Sequence, residues 1–348
     1  MPAKPERHRT VVDPLPKAEL HLHLEGSIRP ETAVELAARH GLRVMAEEVA
    51  ARYRYANFGQ FLDTFKWITS LLREPEDYAL VTQKLLEELA QENVVYAEIT
   101  ISAGVMLLRQ QNVEVNFEAI CEAAAGAPFP RVRTAWIFDC VRQFGGDAAM
   151  EVARQAARLA RAGVVGFGLG GDELSLPAAV FRPAFDWARG AGLHAVCHAG
   201  ETGGPQSVRE AVEELGAERI GHGIAVMHDQ ALAESLAAQG VALENCPTSN
   251  LCTGSLARQM GRADASLRDH PLALLLERGS LVTLSTDDPG MFHTDLLTEY
   301  SHAASLGLSN RQLVELAEQS FRAAFLAPAE QQRYLEDFRA AARSSGLL

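Results

Sequence analysis

Short apolar runs alternate with longer amphipathic segments along most of the chain, and this alternation limits the possible folds more than any other feature. The runs are rich in Val, Ile and Leu, as buried strands are. The segments between them, such as 148–162 and 207–215, repeat apolar residues three and four positions apart, which predicts amphipathic helices. Strands that alternate with helices run parallel, and eight of them predict an α/β fold of the (β/α)8 barrel type. The predicted strands are 17–24, 94–101, 132–138, 164–169, 193–198, 219–222, 241–246 and 281–286.

Two helix-patterned segments lie outside this repeat. One is the connection after the first strand, 30–93, and the other is the C-terminal stretch 309–343. We interpret both as additions to one barrel domain that spans residues 14–348. The polar stretch 1–13 contains Pro and Arg, and we predict a flexible N-terminal tail there.

Composition excludes several classes of protein. A formal charge of −13 is incompatible with a nucleic-acid-binding surface of clustered Lys and Arg. Five cysteines without a C-x-x-C pair favour reduced thiols in a cytoplasm. No apolar run approaches the roughly 20 residues that span a bilayer, and the N-terminus lacks the apolar core of a signal peptide. We therefore expect a cytoplasmic protein that binds neither membranes nor nucleic acid.

Four potential metal ligands lie at the C-terminal ends of predicted strands. His21 and His23 are two residues apart on the first strand, so their side chains point to the same face. His198 ends the fifth strand and Asp287 follows the eighth, and this end of a (β/α)8 barrel carries the active site. Three imidazoles and one carboxylate suit Zn²⁺ and leave one position open for water. The pattern predicts a hydrolase with one metal ion.

Five motifs surround these ligands, and together they resemble the adenosine deaminase family of the amidohydrolase superfamily. They occur in the family's order, from about residue 14 to the last helices. The resemblance implies a (β/α)8 barrel that binds one zinc ion per chain and removes ammonia from a small 6-aminopurine compound. The motifs are PKAELHLHLEGS at 16–27, HAGE at 198–201, RIGHG at 219–223, CPTSN at 246–250 and STDDP at 285–289.

The resemblance also implies catalytic roles. The four ligands named above would bind the zinc ion. Glu201 would handle the proton at purine N1, and His222 would be the base and electrostatic partner of the attacking water. Asp288 would be the acceptor that faces purine N7. The chemistry agrees for Glu201, because a carboxyl group that protonates the ring near pH 7 needs a raised pKa.

Substrate contacts follow from the same resemblance. The backbone of Gly171 would contact purine N3, whereas Glu25, just past His23, would face the sugar. Phe61 and Phe65, on the helical insertion after the first strand, would form an apolar gate over the pocket. Simple core packing is the alternative for these two rings, because they belong to an amphipathic stripe.

The chain departs from the family near the sugar end of the substrate. Glu25 stands where these enzymes commonly have Asp, and Ser102 is followed by Ala-Gly instead of Pro. Asp139 and Arg142 match no family consensus. These differences leave the zinc chemistry unchanged and put the substrate in doubt.

Three substrates fit the resemblance. Adenosine, converted to inosine, is favoured because Thr248 is typical of the adenosine branch, whereas adenine deaminases tend to have Leu there. The alternative is 6-aminodeoxyfutalosine, an intermediate of menaquinone biosynthesis whose benzoate would need a cation. Free adenine is third. The candidate cations are Lys66, Arg73 and Arg142.

Two other functions are less consistent with the sequence. Many two-metal amidohydrolases carry a bridging lysine on the fourth strand, and this strand contains none. A barrel that binds purines without catalysing a reaction would lack one of the metal-ligating residues or Glu201. The sequence contains all of them. Among the other histidines, we predict that His194 lies in the barrel core and that His270 faces solvent.

Overall fold

The computed structural model describes residues 7–127 and 132–348, and the described part contains an eight-stranded parallel sheet. The strands are β1 (Lys17–His23), β2 (Val94–Ile101), β3 (Arg133–Val141), β4 (Val164–Gly170), β5 (His194–Ala199), β6 (Arg219–His222), β7 (Ala242–Asn245) and β8 (Leu281–Leu284). Each strand pairs with the next in chain order. After β8, Asp287 N donates to the His21 carbonyl (3.0 Å) and His23 N donates to the Asp287 carbonyl (2.7 Å). These bonds close the sheet, and the predicted (β/α)8 barrel is confirmed.

Helices cover the outside of this barrel. They are α1 (Pro30–Arg39), α2 (Ala46–Arg52), α3 (Phe58–Thr69), α4 (Pro75–Gln91), α5 (Ala103–Leu108), α6 (Val113–Gly126), α7 (Gly145–Leu159), α8 (Arg182–Gly190), α9 (Pro205–Leu215), α10 (Gln230–Gln239), α11 (Pro247–Cys252), α12 (Ser255–Met260), α13 (Leu272–Glu277), α14 (Leu296–Ser305), α15 (Asn310–Ala323) and α16 (Pro328–Ser344). The predicted insertion after β1 comprises α1–α4, and the predicted C-terminal addition contains α15 and α16.

The apolar core lies between the strands and the helices. Phe117 of α6 makes edge contacts with Trp136 and Phe138 of β3, with ring centroids 6.0 and 5.1 Å apart. Phe167 of β4 contacts Phe185 of α8 at 4.7 Å. All five rings are buried. Aromatic pairs of this kind contribute about 0.5–1.5 kcal/mol beyond the area they bury, so they hold the helices firmly against the sheet.

The barrel interior, by contrast, contains many polar groups. Glu19, Glu98, Arg219 and Glu244 are all buried. Glu19 Oε1 accepts hydrogen bonds from Thr286 N (2.9 Å) and Oγ1 (2.5 Å). Buried charges are costly unless they are paired and hydrogen-bonded. The interior is therefore arranged to hold charged groups in fixed positions.

The N-terminal segment is attached to the barrel from residue 7 onward. Arg7 Nη1 pairs with Asp13 Oδ2 (2.8 Å), His8 N donates to Ser301 Oγ (3.2 Å), and Val12 is buried. The rest of the predicted flexible tail, residues 1–6, lies outside the described residues. The division into a tail and a single domain stays a prediction. No helix within the described ranges is long and apolar enough to cross a membrane.

Candidate active site

The four predicted metal ligands come together at the C-terminal end of the barrel. One ligand atom from each of His21, His23, His198 and Asp287 lies within 4.8 Å of the others. Asp287 Oδ1 lies 3.4 Å from His21 Nε2 and 3.3 Å from His23 Nε2, and the Nε2 atoms of His23 and His198 are 3.2 Å apart. His21 Nε2 is buried and has no hydrogen-bond partner among the described residues. This set of nitrogen and carboxylate donors fits a Zn²⁺-like ion.

Neighbouring groups fix the orientation of these ligands. His21 Nδ1 donates to Glu244 Oε2 (2.8 Å), and His198 Nδ1 donates to the Leu169 carbonyl (3.1 Å). Both imidazoles therefore have Nε2 free for a metal ion, as in other protein metal sites. Ser249 Oγ donates to Asp287 Oδ2 (2.6 Å). Sequence reasoning missed Glu244, because its side chain meets His21 inside the barrel although β7 and β1 are distant in sequence and are not neighbours in the sheet.

Two site residues have unusual backbone conformations. His222 at the end of β6 has φ 62° and Asp287 after β8 has φ 65°, in the left-handed region that favours glycine. Such conformations cost of order 1–3 kcal/mol and persist only where the surroundings enforce them. Here they turn both side chains into the pocket, which Glu201 also lines.

Glu201 is buried beside the ligands and is held from two sides. Ser255 Oγ donates to its Oε1 (2.9 Å), and its Oε2 lies 3.7 Å from His222 Nε2. Burial, with the neighbouring charges of Asp287 and Glu173, raises the pKa of Glu201 to about 8. The carboxyl group is thus largely protonated near pH 7, as a proton donor at this position requires.

Glu173 holds the loop that carries Glu201. Its carboxylate accepts hydrogen bonds from the backbone N–H groups of Gly200 (2.5 Å), Glu201 (3.1 Å), Thr202 (2.8 Å) and Gly203 (2.7 Å). A buried carboxylate with several backbone donors is a strong, rigid anchor. The GGDE motif at 170–173 therefore has a positioning role that sequence reasoning did not assign.

A chain of hydrogen bonds sets the protonation of His222. Leu272 N donates to His270 Nδ1 (3.3 Å), and His270 Nε2 lies 3.2 Å from Asn250 Oδ1. Asn250 Nδ2 lies 3.1 Å from His222 Nδ1, which must accept this bond. Burial lowers the pKa values of His222 and His270 to about 3. His222 is therefore neutral with its proton on Nε2, facing Glu201.

Two histidine predictions were wrong. His270, which we expected to face solvent, is buried in this hydrogen-bonded chain. His194, which we expected in the core, has a side chain that is 42% exposed and pairs with Glu218 (2.9 Å). It lies at the first residue of β5, where the interior of the barrel opens to solvent, and its ring stacks on Phe325.

A pocket of about 290 Å³ lies over the ligands, and most of the predicted substrate contacts line it. Asp288 is buried, and burial together with Asp287 raises the pKa of its carboxyl group well above its usual range. Gly171 has φ 92°, and a Cβ there would lie 2.3 Å from Gln143 Oε1, so only glycine fits. The outer wall is largely apolar and includes Phe58, Phe61, Leu62, Phe65, Val105 and Phe144.

The sugar-end residues differ in their access to this pocket. Glu25 is buried behind the lining residues, where its Oε1 accepts from Ser102 N (3.1 Å) and burial raises its pKa to about 7. Arg142 is also buried and donates to the carbonyls of Leu176 (3.1 Å) and His198 (3.2 Å). Its guanidinium is thus occupied by the backbone. Of the three candidate cations only Lys66 lines the pocket.

Asp139 is a further acidic group in the pocket wall. It is buried, and its Oδ1 has no hydrogen-bond partner within the described part of the chain. Burial and the nearby Glu25 raise the pKa of its carboxyl group well above the usual range. A Cβ at Gly170 would lie 2.7 Å from Asp139 Oδ2, so the glycine leaves room for this carboxyl group.

Fold and site together define a metallohydrolase of the (β/α)8-barrel class. The sequence model of the family described as adenosine deaminase matches residues 16–340. An aminodeoxyfutalosine deaminase from Streptomyces coelicolor is 42% identical over 320 residues, which cover 90% of this chain and 80% of the relative. An adenosine deaminase from Escherichia coli is 34% identical over 336 residues, covering 93% and 97%.

Structural similarity leads to the same family. The crystal structure of an adenine deaminase from Arthrobacter aurescens matches with a TM-score of 0.86 and 30% identity, covering 94% of this chain and 99% of the other. The chain belongs to the adenosine deaminase family. It is a deaminase of the adenosine, aminodeoxyfutalosine or adenine type.

The first prediction concerns the metal ligands. Asp287→Ala removes one of four protein ligands, so bound zinc and turnover should both fall by more than the roughly 10- to 100-fold that losing a ligand's supporting partner costs. Metal analysis and ammonia release measure the two effects. Asp264→Ala changes an exposed acid that does not line the pocket and is the matched control. A zinc-free preparation with full activity, or an Asp287→Ala enzyme with unchanged zinc content, would contradict the assignment.

Proposed function

We propose that this chain catalyses the hydrolytic deamination of 6-aminodeoxyfutalosine, using one zinc ion held by His21, His23, His198 and Asp287. The observation that carries the substrate choice is the outer pocket, whose largely apolar, aromatic wall also includes Lys66. Such a wall suits a nucleoside enlarged at C5′ by an aromatic acid. The identity to an aminodeoxyfutalosine deaminase supports the same choice.

The catalytic groups are suited to replacing an amino group by oxygen. A bound zinc ion supplies a water that is acidic enough to attack carbon at neutral pH. Glu201, protonated near pH 7, donates its proton to N1 and makes C6 electrophilic. The C6–O bond forms to the water oxygen and the C6–N bond breaks. One water proton leaves on the amino group as ammonia, the other returns to the Glu201 carboxylate, and the proton given to N1 stays in the 6-oxo product. His222 supports the attacking oxygen through its Nε2–H and is a hydrogen-bond donor in this tautomer, not a base.

For Asp288 we propose a role different from the acceptor expected on sequence grounds. Purine N7 carries no proton, so a group that binds it must donate a hydrogen bond. The raised pKa of Asp288 supports a neutral carboxyl group at pH 7. We therefore propose that Asp288 donates to N7 while the Gly171 N–H donates to N3. Together these contacts would fix the ring plane relative to Glu201.

Lys66 is the proposed partner of the substrate's carboxylate. It belongs to α3, its side chain is 72% exposed, and its Nζ pairs with Asp63 at 3.2 Å. An exposed lysine of this kind can turn toward a ligand with little loss, because exposed ion pairs are weak. The rings of Phe61 and Phe65, 6.0 Å apart on the same helix, would contact the aromatic part of the substrate.

Adenosine is the second candidate, and the inner half of the pocket favours it equally. The groups around the purine contain nothing that distinguishes the two nucleosides. Free adenine would leave the outer wall without a ligand group to contact. The choice thus rests on the outer pocket, and a substrate comparison tests it directly.

The second prediction is this comparison. Purified enzyme loaded with zinc should release ammonia from 6-aminodeoxyfutalosine with a kcat/KM about a hundredfold above that for adenosine, equivalent to about 2.7 kcal/mol of extra transition-state binding. Adenine and methylthioadenosine complete the panel. Equal or higher kcat/KM with adenosine would favour the second candidate, and activity on free adenine alone would exclude both nucleosides.

The third prediction concerns Glu201. Glu201→Gln keeps the shape of the side chain but cannot transfer a proton, so kcat should fall by roughly 10²-fold or more while zinc stays bound. In the unaltered enzyme kcat/KM should fall as pH rises through about 8, because the required form of Glu201 is the protonated one. A Glu201→Gln enzyme with wild-type kcat would assign the proton transfer to another group.

The fourth prediction concerns Lys66. Lys66→Met removes the charge and keeps the apolar stem, so kcat/KM for 6-aminodeoxyfutalosine should fall about fivefold, or about 1 kcal/mol, the upper range for an exposed ion pair. Adenosine, which has no carboxylate, should be unaffected. Lys84→Met changes an exposed lysine of α4 outside the pocket and is the matched control. An equal loss of kcat/KM with both nucleosides would argue against a contact between Lys66 and the substrate's carboxylate.

A further inference from the structure

A continuous line of buried charges crosses the barrel beneath the metal ligands. Glu98 of β2, Arg219 of β6 and Glu244 of β7 are each at most 2% exposed. Arg219 Nη2 lies 2.5 Å from Glu98 Oε2, and its Nε lies 2.6 Å from Glu244 Oε1. The other oxygen of Glu244 lies 2.8 Å from His21 Nδ1. The line therefore ends at a ligand of the proposed metal site.

Several groups surround the guanidinium of Arg219, and its Nε contacts Glu244 Oε1 as an ion pair without the geometry of a hydrogen bond. Besides the two carboxylates, its Nη1 donates to the Ala323 carbonyl (2.9 Å). Its plane lies over the ring of Phe325, with 3.7 Å between the guanidinium carbon and the ring centroid. A guanidinium offers donors in a rigid planar fork, which an ammonium group cannot reproduce. The guanidinium of Arg219 therefore has one orientation, and this orientation fixes the carboxylate of Glu244.

Glu244 makes different contacts with its two oxygens. Oε1 faces Arg219 and Oε2 accepts from His21 Nδ1, so rotation of the carboxylate would break both contacts. The bond from Nδ1 keeps the His21 proton away from Nε2, the atom that faces the other ligands. Without Arg219, Glu244 would be a buried carboxylate that keeps only the hydrogen bond from His21 Nδ1.

We propose that Arg219 is a positioning residue for the metal site, acting through Glu244 to hold His21 in its ligating orientation and tautomer. Arg219 lies beneath the pocket and would act on the metal site without contacting the substrate. This role rests on the metal site of the proposed function but is independent of which nucleoside the enzyme takes.

Glu98 and Arg219 also contact the segment that connects the two C-terminal helices. Glu98 Oε1 accepts from Phe325 N (2.6 Å) and from Tyr96 Oη (2.8 Å). Ala323 ends α15, so Arg219 and Glu98 both bind the segment that connects α15 to α16. The segment 323–325 therefore helps to fix Glu98 and Arg219, the buried charged residues beneath His21.

Zinc affinity tests this role without any substrate. Removing Arg219 alone leaves Glu98 as an unpaired buried charge, so the informative variant is Glu98→Gln combined with Arg219→Met. Competition with a chromophoric chelator should show zinc binding weakened by roughly 10- to 100-fold in this double variant, the usual effect of losing a ligand's supporting partner. Glu98→Gln alone is the matched control and should bind zinc like the unaltered enzyme. Circular dichroism confirms that each variant is folded.

A second comparison separates positioning from general support. If Arg219 acts through Glu244, adding Glu244→Gln to the double variant should weaken zinc binding little further, whereas independent effects would multiply. In the cobalt-substituted enzyme, the visible absorption of the double variant should differ from that of Glu98→Gln. The proposal would be overturned if the double variant bound zinc as tightly as the unaltered enzyme. It would also be overturned if adding Glu244→Gln multiplied the loss of zinc affinity.

Arg219→Lys covers the case in which the double variant does not fold. It keeps a positive charge between the carboxylates but cannot contact both of them and Ala323 together, so zinc should again bind more weakly. Wild-type affinity and an unchanged cobalt spectrum in this variant would overturn the role of the fork. Failure of the unaltered protein to bind zinc would instead refute the metal site itself.

Discussion

The closure of the barrel between β8 and β1 is the constraint on which the site depends. Asp287 exchanges backbone hydrogen bonds with β1, donating to His21 (3.0 Å) and accepting from His23 (2.7 Å). The same contact brings its carboxylate within 3.4 Å of both imidazoles. Closing the sheet and assembling three of the four ligands are thus one structural event. The left-handed backbone at Asp287, costly on its own, is enforced by this seam.

Burial of acidic groups is the second common feature of the site. Glu25, Asp139, Glu201 and Asp288 are all buried close to the pocket, and burial raises the pKa of each. Neutral carboxyl groups can donate hydrogen bonds, which a purine with unprotonated ring nitrogens needs. Glu244 and Asp287 are the exceptions. Despite burial, Arg219 and His21 keep the pKa of Glu244 below its usual range, and hydrogen bonds to His21 and His23 hold that of Asp287 well below it. The site thus separates acids that hold protons from carboxylates that stay charged.

The strands, and the meeting of the proposed metal ligands with Glu201 at one end of the barrel, were predictable because their signals are local. Residues that end parallel strands meet at one end of a barrel, so His21, His198 and Asp287 could be placed together from sequence. Supporting groups such as Glu244 and Glu173 were not predictable, since their partners are distant in the chain. His270 was misassigned for the same reason. His194 was misassigned because the alternation along a strand predicts which side of the sheet a side chain faces. It does not predict whether that side chain lies near the end of the barrel, where solvent reaches the interior.

Chemistry and specificity arise from different parts of the fold. The groups proposed to act on the purine lie on strand ends and the loops that follow them, and in our proposal Arg219 helps to fix this arrangement from beneath. The outer wall comes mainly from α3, a helix of the insertion on which Phe61 and Phe65 contact each other. Under the proposed function, the strand ends would determine the reaction, and the residues of α3 that line the outer pocket would determine which nucleoside this chain accepts.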